Sequence, residues 1–124
     1  MKTKLLFLFL LSFFLFSCEK DETTDYRALA AGEWEGTFKG DDMGTWTMNI
    51  KSDGSLTGGL LSTNVPGITF PGKGTVSVDG DILADIQVTS TTSSMTGKID
   101  GNNMSGTWSN AIYGIGGTWS GSKK

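Results

Sequence analysis

From Gly32 to Lys124 the apolar and polar residues of this chain alternate with a period of two, and no stretch carries the 3.6-residue period of a helix. Successive side chains of a strand point to opposite faces, so each alternating run defines an inner and an outer set. The first strand is predicted at about Glu33 to Lys39, with Trp34, Gly36 and Phe38 inward and Glu33, Glu35, Thr37 and Lys39 outward. The second, about Met43 to Lys51, turns Gly44, Trp46, Met48 and Ile50 inward, and the third does the same with Leu56, Gly58 and Leu60. A fourth strand ending at Asp79 has Phe70, Gly72, Gly74, Val76 and Val78 inward; Pro71 lacks a ladder donor, so pairing is expected to begin beyond it or at an edge. The inner sets of the last four strands are Ile82, Ala84, Ile86 and Val88; Met95, Gly97 and Ile99; Met104, Gly106 and Trp108; and Ile115, Gly117, Trp119 and Gly121.

Short connections join these runs. Asp53-Gly54, Asp79-Gly80 and Asp100-Gly101 are tight-turn pairs, because Gly supplies the positive φ that a hairpin demands. Eight twisted antiparallel strands in sequence order predict an all-β fold, an eight-stranded antiparallel up-and-down meander barrel, since closure removes both sheet edges. An open, strongly curved sheet packed on a helical turn at Tyr26 to Ala31 is the alternative. All four tryptophans fall in one word, Gly-x-Trp, at Gly32, Gly44, Gly106 and Gly117. Gly and Trp two apart share a face, so the word reads as a packing device in which Gly relieves the crowding that Trp creates.

Ahead of the alternating region, Lys2 and Lys4 precede an apolar run from Leu5 to Phe16 broken only by Ser12. Twelve helical residues reach about 18 Å, short of a hydrocarbon core of about 30 Å, so the run reads as a secretory signal peptide, residues 1–17, rather than a membrane span. Its end, Leu15-Phe16-Ser17-Cys18, resembles the lipobox of bacterial lipoproteins, which implies cleavage before Cys18 and lipidation of that residue. Cys18 is the only cysteine and has no disulfide partner within the chain, so acylation would also remove an unpaired exported thiol. An ordinary signal with an incidental cysteine is the plainer alternative. Residues 18–31 then form a tether, and Lys20-Asp21-Glu22 resembles the signal that sends lipoproteins of the Bacteroidota type to the outer face of the outer membrane. A solvated spacer would instead leave the protein facing the periplasm. The barrel domain is assigned to residues 32–124.

Removing residues 1–17 leaves eight basic against thirteen acidic side chains, a net of minus five. That sign disfavours nucleic acid and electrostatic adhesion to anionic lipid. There is no histidine, so Ser-His and Cys-His nucleophiles and histidine-ligated metals are excluded, and no catalytic residue, metal or cofactor is expected. Glu33 and Glu35 share a strand face, as a glycosidase pair would, but it is the solvent face. Asp79 with Asp81, and Asp41 with Asp42, fall short of the ligand number that calcium needs.

Gly32-Glu33-Trp34 resembles the Gly-x-Trp opening of lipocalin-type barrels, and residues 32–58, ending in Asp53-Gly54-Ser55-Leu56-Thr57-Gly58, resemble the first three strands of avidin-type barrels. The resemblance implies fold. Where avidins place biotin-contacting Asn and Tyr, this chain has Gly36 and Leu60, so biotin binding does not carry over. Counted along a meander, the Asp-Gly turns and the tether share one end, and the longer connections share the other. Those connections hold the candidate binding residues Asp41, Asp42, Asn64, Val65, Pro66, Ile68, Asn110, Ile112 and Tyr113, since loops on a rigid scaffold and barrel mouths are common places for recognition. Loops that merely plug the barrel are the alternative. The expectation is a non-enzymatic module, anchored in the outer membrane by lipid on Cys18 and surface-exposed or otherwise periplasmic. Its mouth would take a small ligand, glycan or protein. An inhibitor-like barrel acting on an envelope or extracellular enzyme, resembling small eight-stranded bacterial protease inhibitors, is the second reading, and a hydrolase using loop carboxylates the third.

Overall fold

The computed structural model describes residues 24–124. The expected signal peptide, Cys18 and the Lys20-Asp21-Glu22 motif lie outside the described residues. A short helix, α1 (Tyr26–Ala30), is followed by eight strands: β1 (Gly32–Gly40), β2 (Gly44–Ile50), β3 (Ser55–Ser62), β4 (Phe70–Val76), β5 (Asp81–Val88), β6 (Thr91–Asp100), β7 (Asn103–Asn110) and β8 (Ile115–Lys123). Each strand pairs antiparallel with the next, and β1 pairs with β8 from Trp34 opposite Lys123 to Gly40 opposite Gly117, which closes the barrel. The expected meander barrel is therefore the observed fold, and the open sheet is not. All eight ladders lie within residues 32–123, and among the described residues the buried core runs from Ala30 to Trp119, so the barrel carries its own ladders and core.

The alternation survives as inside and outside. Trp34, Phe38, Trp46, Met48, Ile50, Leu56, Val76, Ile82, Ile86, Met95, Ile99, Met104, Trp108 and Trp119 are buried, whereas Thr37, Thr45, Thr47, Lys73, Asp85, Thr96 and Thr107 face water. A polar outside around an apolar inside is the reverse of a membrane-spanning barrel. One inner assignment and one strand start change. Val78 was expected inward on a strand reaching Asp79, but β4 stops at Val76 and Val78 is 47% exposed in the turn that Gly80 (φ 89) closes through its N–H to Ser77 O. Met43, expected to open the second strand, precedes β2 and is exposed. Pro71 stands opposite Gly59 near the end of the β3–β4 ladder, and the β4–β5 ladder begins beyond it at Gly72.

The Gly-x-Trp word works across strands rather than within itself. Inward glycines meet directly as cross-strand pairs: Gly36 with Gly121, Gly40 with Gly117, Gly97 with Gly106, and Gly58 with Gly72. Three of these dents carry an indole. A β-carbon at Gly36 would lie 2.6 Å from Trp46, one at Gly97 2.5 Å from Trp119, and one at Gly117 2.8 Å from Trp108. Lying low over the glycines, each ring brings its N–H to a backbone carbonyl: Trp46 donates to Thr37 (3.2 Å), Trp108 to Lys39 (3.0 Å) and Trp119 to Thr96 and Thr107 (both 3.1 Å). Trp46 meets Trp119 edge to face at 5.6 Å, and Phe38 meets Trp108 at 5.9 Å. The Gly58–Gly72 dent carries no indole, and a void of about 20 Å³ remains beside it.

One end of the barrel is closed by α1. Trp34 Nε1 donates to Ala30 O (2.8 Å), Tyr26 N to Val78 O (3.1 Å) and Lys123 Nζ to Leu29 O (3.1 Å). Asp25 caps the helix by accepting from Arg27 N (3.0 Å), and the Arg27 guanidinium beside it holds the carboxyl below the usual carboxylate range. The aliphatic part of Arg27 lies against Gly54, and the ring of Tyr26 against Gly80. The segment leading to the barrel thus reaches it at the Asp-Gly turn end, as the meander count requires.

Candidate functional site

The opposite end is partly open. A cavity of about 160 Å³ enters there, with Phe38, Leu60, Phe70, Ile86, Met95 and Trp108 among its walls. The inner set of the upper strands is too small to fill the lumen above the Trp46 and Trp119 layer, so space is left where the connections begin. Five of the nine candidate loop residues line it: Asp42, Asn64, Val65, Asn110 and Tyr113. Asp41, Pro66, Ile68 and Ile112 lie outside its lining and are exposed; Ile68 and Ile112 expose 50% and 74% of their surface. With Val65 and Tyr113 they extend the apolar surface outward from the cavity onto the rim.

Two side-chain latches fix this rim. Asp42 accepts from Ser62 Oγ at both oxygens (2.9 Å each), from Asn64 Nδ2 (2.7 Å) and from Met43 N (2.8 Å), which ties the β1–β2 connection to the segment after β3. Asp41 accepts from Gly116 N at 2.9 Å and docks the same connection onto β8. The second latch is Asn110. The sequence suggested a loop residue there, but Asn110 is the last residue of β7 and only 2% exposed, because the inner parity of Met104, Gly106 and Trp108 runs on through it. Its Nδ2 donates to Thr91 Oγ1 and Ser93 Oγ (3.0 Å each), and its Oδ1 accepts from Ile112 N (3.1 Å) and Tyr113 N (3.0 Å). All four hydrogen-bonding positions of the amide hold the β7–β8 loop against β6. Asn110→Ala is expected to cost about 2 kcal/mol and Asn110→Asp, which keeps the acceptor side, about half of that. Denaturant unfolding of the two variants measures the difference.

Reading from sequence missed Ser62 and Ser93 as lining residues. Each stands two positions from an inward apolar residue, Leu60 and Met95, so a polar side chain at inner parity was the available signal. Of the carboxylates weighed for chemistry, Asp42 lines the cavity, whereas Glu33, Glu35, Asp41, Asp79 and Asp81 are exposed and lie outside its lining. Among the described residues, no group of three or more acidic or thiol side chains stands together.

Fold and site together define a class: a small, closed, eight-stranded up-and-down barrel with a shaped apolar cavity at one mouth. No protein-family model matches the sequence, and a search of curated proteins finds no match.

Proposed function

We propose that this protein is a non-enzymatic binding module, held by lipid on Cys18 at the outer membrane, that receives a small apolar group in the mouth of its barrel. The observation that carries the reading is the preformed apolar cavity at the end opposite α1. A tether entering at α1 turns that mouth away from the membrane, toward the outside if Lys20-Asp21-Glu22 acts as a surface signal and toward the periplasm if it does not. The size narrows the partner. A dry apolar cavity of about 150 Å³ holds a benzene-sized molecule, whereas ordinary ligand pockets run from about 300 Å³ upward. A glycan needs several convergent polar partners, and the latches already occupy most of those present.

The exposed apolar rim of Val65, Ile68, Ile112 and Tyr113 favours a second reading, in which one side chain of another protein fills the cavity while the rim covers its neighbours. An inhibitor-like barrel is one form of this.

Toluene titrated into the chain Thr24–Lys124 is expected to shift the Trp108 indole N–H resonance saturably, since that ring lines the cavity. Val88→Phe, which grows into the space, should weaken binding about tenfold or more, or 1.4 kcal/mol. No saturable shift in the parent protein would defeat the cavity reading. For the anchor, Cys18→Ala in the full chain is expected to move the protein from the membrane to the soluble fraction, and full retention on membranes would exclude it.

A further inference from the structure

The polar groups around the cavity are not equally occupied. The Asp42 carboxylate takes protons from three residues, with the single Ser62 Oγ proton shared between its two oxygens, and Ser62 Oγ in turn accepts from Asn64 N (3.2 Å). Trp108 donates to Lys39 O, outside the cavity, and Asn110 is fully engaged. Thr91 Oγ1 accepts from Asn110 and passes its own proton to Val88 O (3.2 Å). Ser93 differs: its Oγ accepts from Asn110 Nδ2, and among the described residues nothing accepts its proton, whereas the other lining groups without a partner, the Tyr113 hydroxyl and Asn64 Oδ1, belong to exposed residues of the rim. It stands directly opposite the buried Ile86 and two residues before the buried Met95, on the inward face, so the unspent O–H borders apolar walls. Asn110 fixes its direction, because an oxygen that receives the amide N–H must turn its own proton elsewhere. A donor left unmet in apolar surroundings is costly, and a guest with a matching acceptor removes that cost.

We infer that the mouth cavity is a binding site for a neutral, compact, mostly apolar molecule carrying a single hydrogen-bond acceptor, a carbonyl or ether oxygen, which the Ser93 hydroxyl receives. This deepens the cavity reading above and rests on it. The volume of about 160 Å³ sets the size at about that of one six-membered ring with a short substituent. Charge is disfavoured on both sides. An anion would meet Asp42 with no cation lining the cavity, and a cation would find a carboxylate already engaged by Ser62, Asn64 and Met43.

The test compares three probes of equal heavy-atom number, a six-membered ring with one exocyclic atom: toluene, cyclohexanone and cyclohexylamine. Each is titrated by NMR into the chain Thr24–Lys124 and into Ser93→Ala. Expected is a loss of about fivefold to tenfold in cyclohexanone affinity on Ser93→Ala, with toluene unchanged or slightly tighter, and the weakest binding from cyclohexylammonium. Ser93→Cys, which keeps the side-chain shape at slightly larger volume and donates weakly, should fall between, and it replaces Ser93→Ala if that variant loses its native spectrum. Toluene and cyclohexanone weakened equally, or neither affected, would overturn the role of Ser93 while leaving the cavity reading intact. Tightest binding of the ammonium would overturn it in favour of Asp42. If no probe binds the parent protein, the cavity reading fails, and this inference fails with it.

Discussion

Trp46→Ala is expected to lower stability by about 3 to 5 kcal/mol, the range for truncating a large buried aromatic side chain. The ring is 2% exposed and stands edge to face with Trp119. It also covers the Gly36–Gly121 dent and donates to Thr37 O, so its removal opens a void over backbone that has no side chain with which to collapse. Trp119→Ala should cost a similar amount. Because the two rings share one contact, the double variant should fall short of the sum by about 0.5 to 1.5 kcal/mol, the worth of an aromatic pair beyond its buried area. Chemical denaturation of the four proteins in this cycle supplies the comparison. A neutral Trp46→Ala would mean that the inner face has been wrongly assigned.

Gly106→Val is the second large effect, opposite in kind because it adds atoms. A β-carbon at Gly106 would stand 2.6 Å from the Cα of Gly97 and 2.7 Å from the carbonyl carbon of Thr96. Both are backbone atoms of the neighbouring strand, so relief requires the β6–β7 ladder to separate next to the ring of Trp119. The expected cost is about 3 kcal/mol, at the upper end for overpacking, with Trp119 more exposed and its fluorescence shifted to the red. Gly72→Ala is the matched control. Its new β-carbon would meet Ile86 Cγ1 at 3.4 Å and Asp85 O at 3.5 Å, both ordinary contacts, in the dent that no indole fills. That variant should lie within about 0.5 kcal/mol of the parent. If Gly106→Val were equally mild, the glycine pairs would not be the seats on which the tryptophans rest.

The barrel was legible because period-two alternation and tight-turn residues act locally and agree with each other across all eight strands. What alternation does not carry is where a strand stops. Val78 has inner parity and an apolar side chain, yet Gly80 has already turned the chain; Asn110 has inner parity and a polar side chain, yet the strand continues through it. The β4 end is set by the local turn bonds of Ser77 with Gly80 and Asp81, one step earlier than parity suggests, whereas the continuation of β7 rests on bonds from Asn110 to Thr91 and Ser93, which no local window contains. The site was legible to the same degree. Choosing the end with longer loops brought Asp42, Asn64, Val65, Asn110 and Tyr113 to the cavity, but Ser62 and Ser93 were not singled out, because inner faces were traced through apolar and glycine residues alone. The indole seats were invisible for a related reason: the glycine under each tryptophan belongs to another strand, and the Gly40–Gly117 pair beneath Trp108 exists only once β1 meets β8 and the barrel closes.

Chain entry and chain exit lie side by side at the α1 end, where Lys124 N donates to Glu33 O at 2.9 Å and Lys123 reaches back to Leu29 O. A fluorescent protein or affinity tag fused after Lys124 would therefore emerge beside the tether, with the length of the barrel between it and the mouth. The same adjacency allows the two ends to be spliced by a short linker and new ends cut in the Ser52–Gly54 turn, giving a circular permutant that presents an unaltered mouth from a different point of attachment.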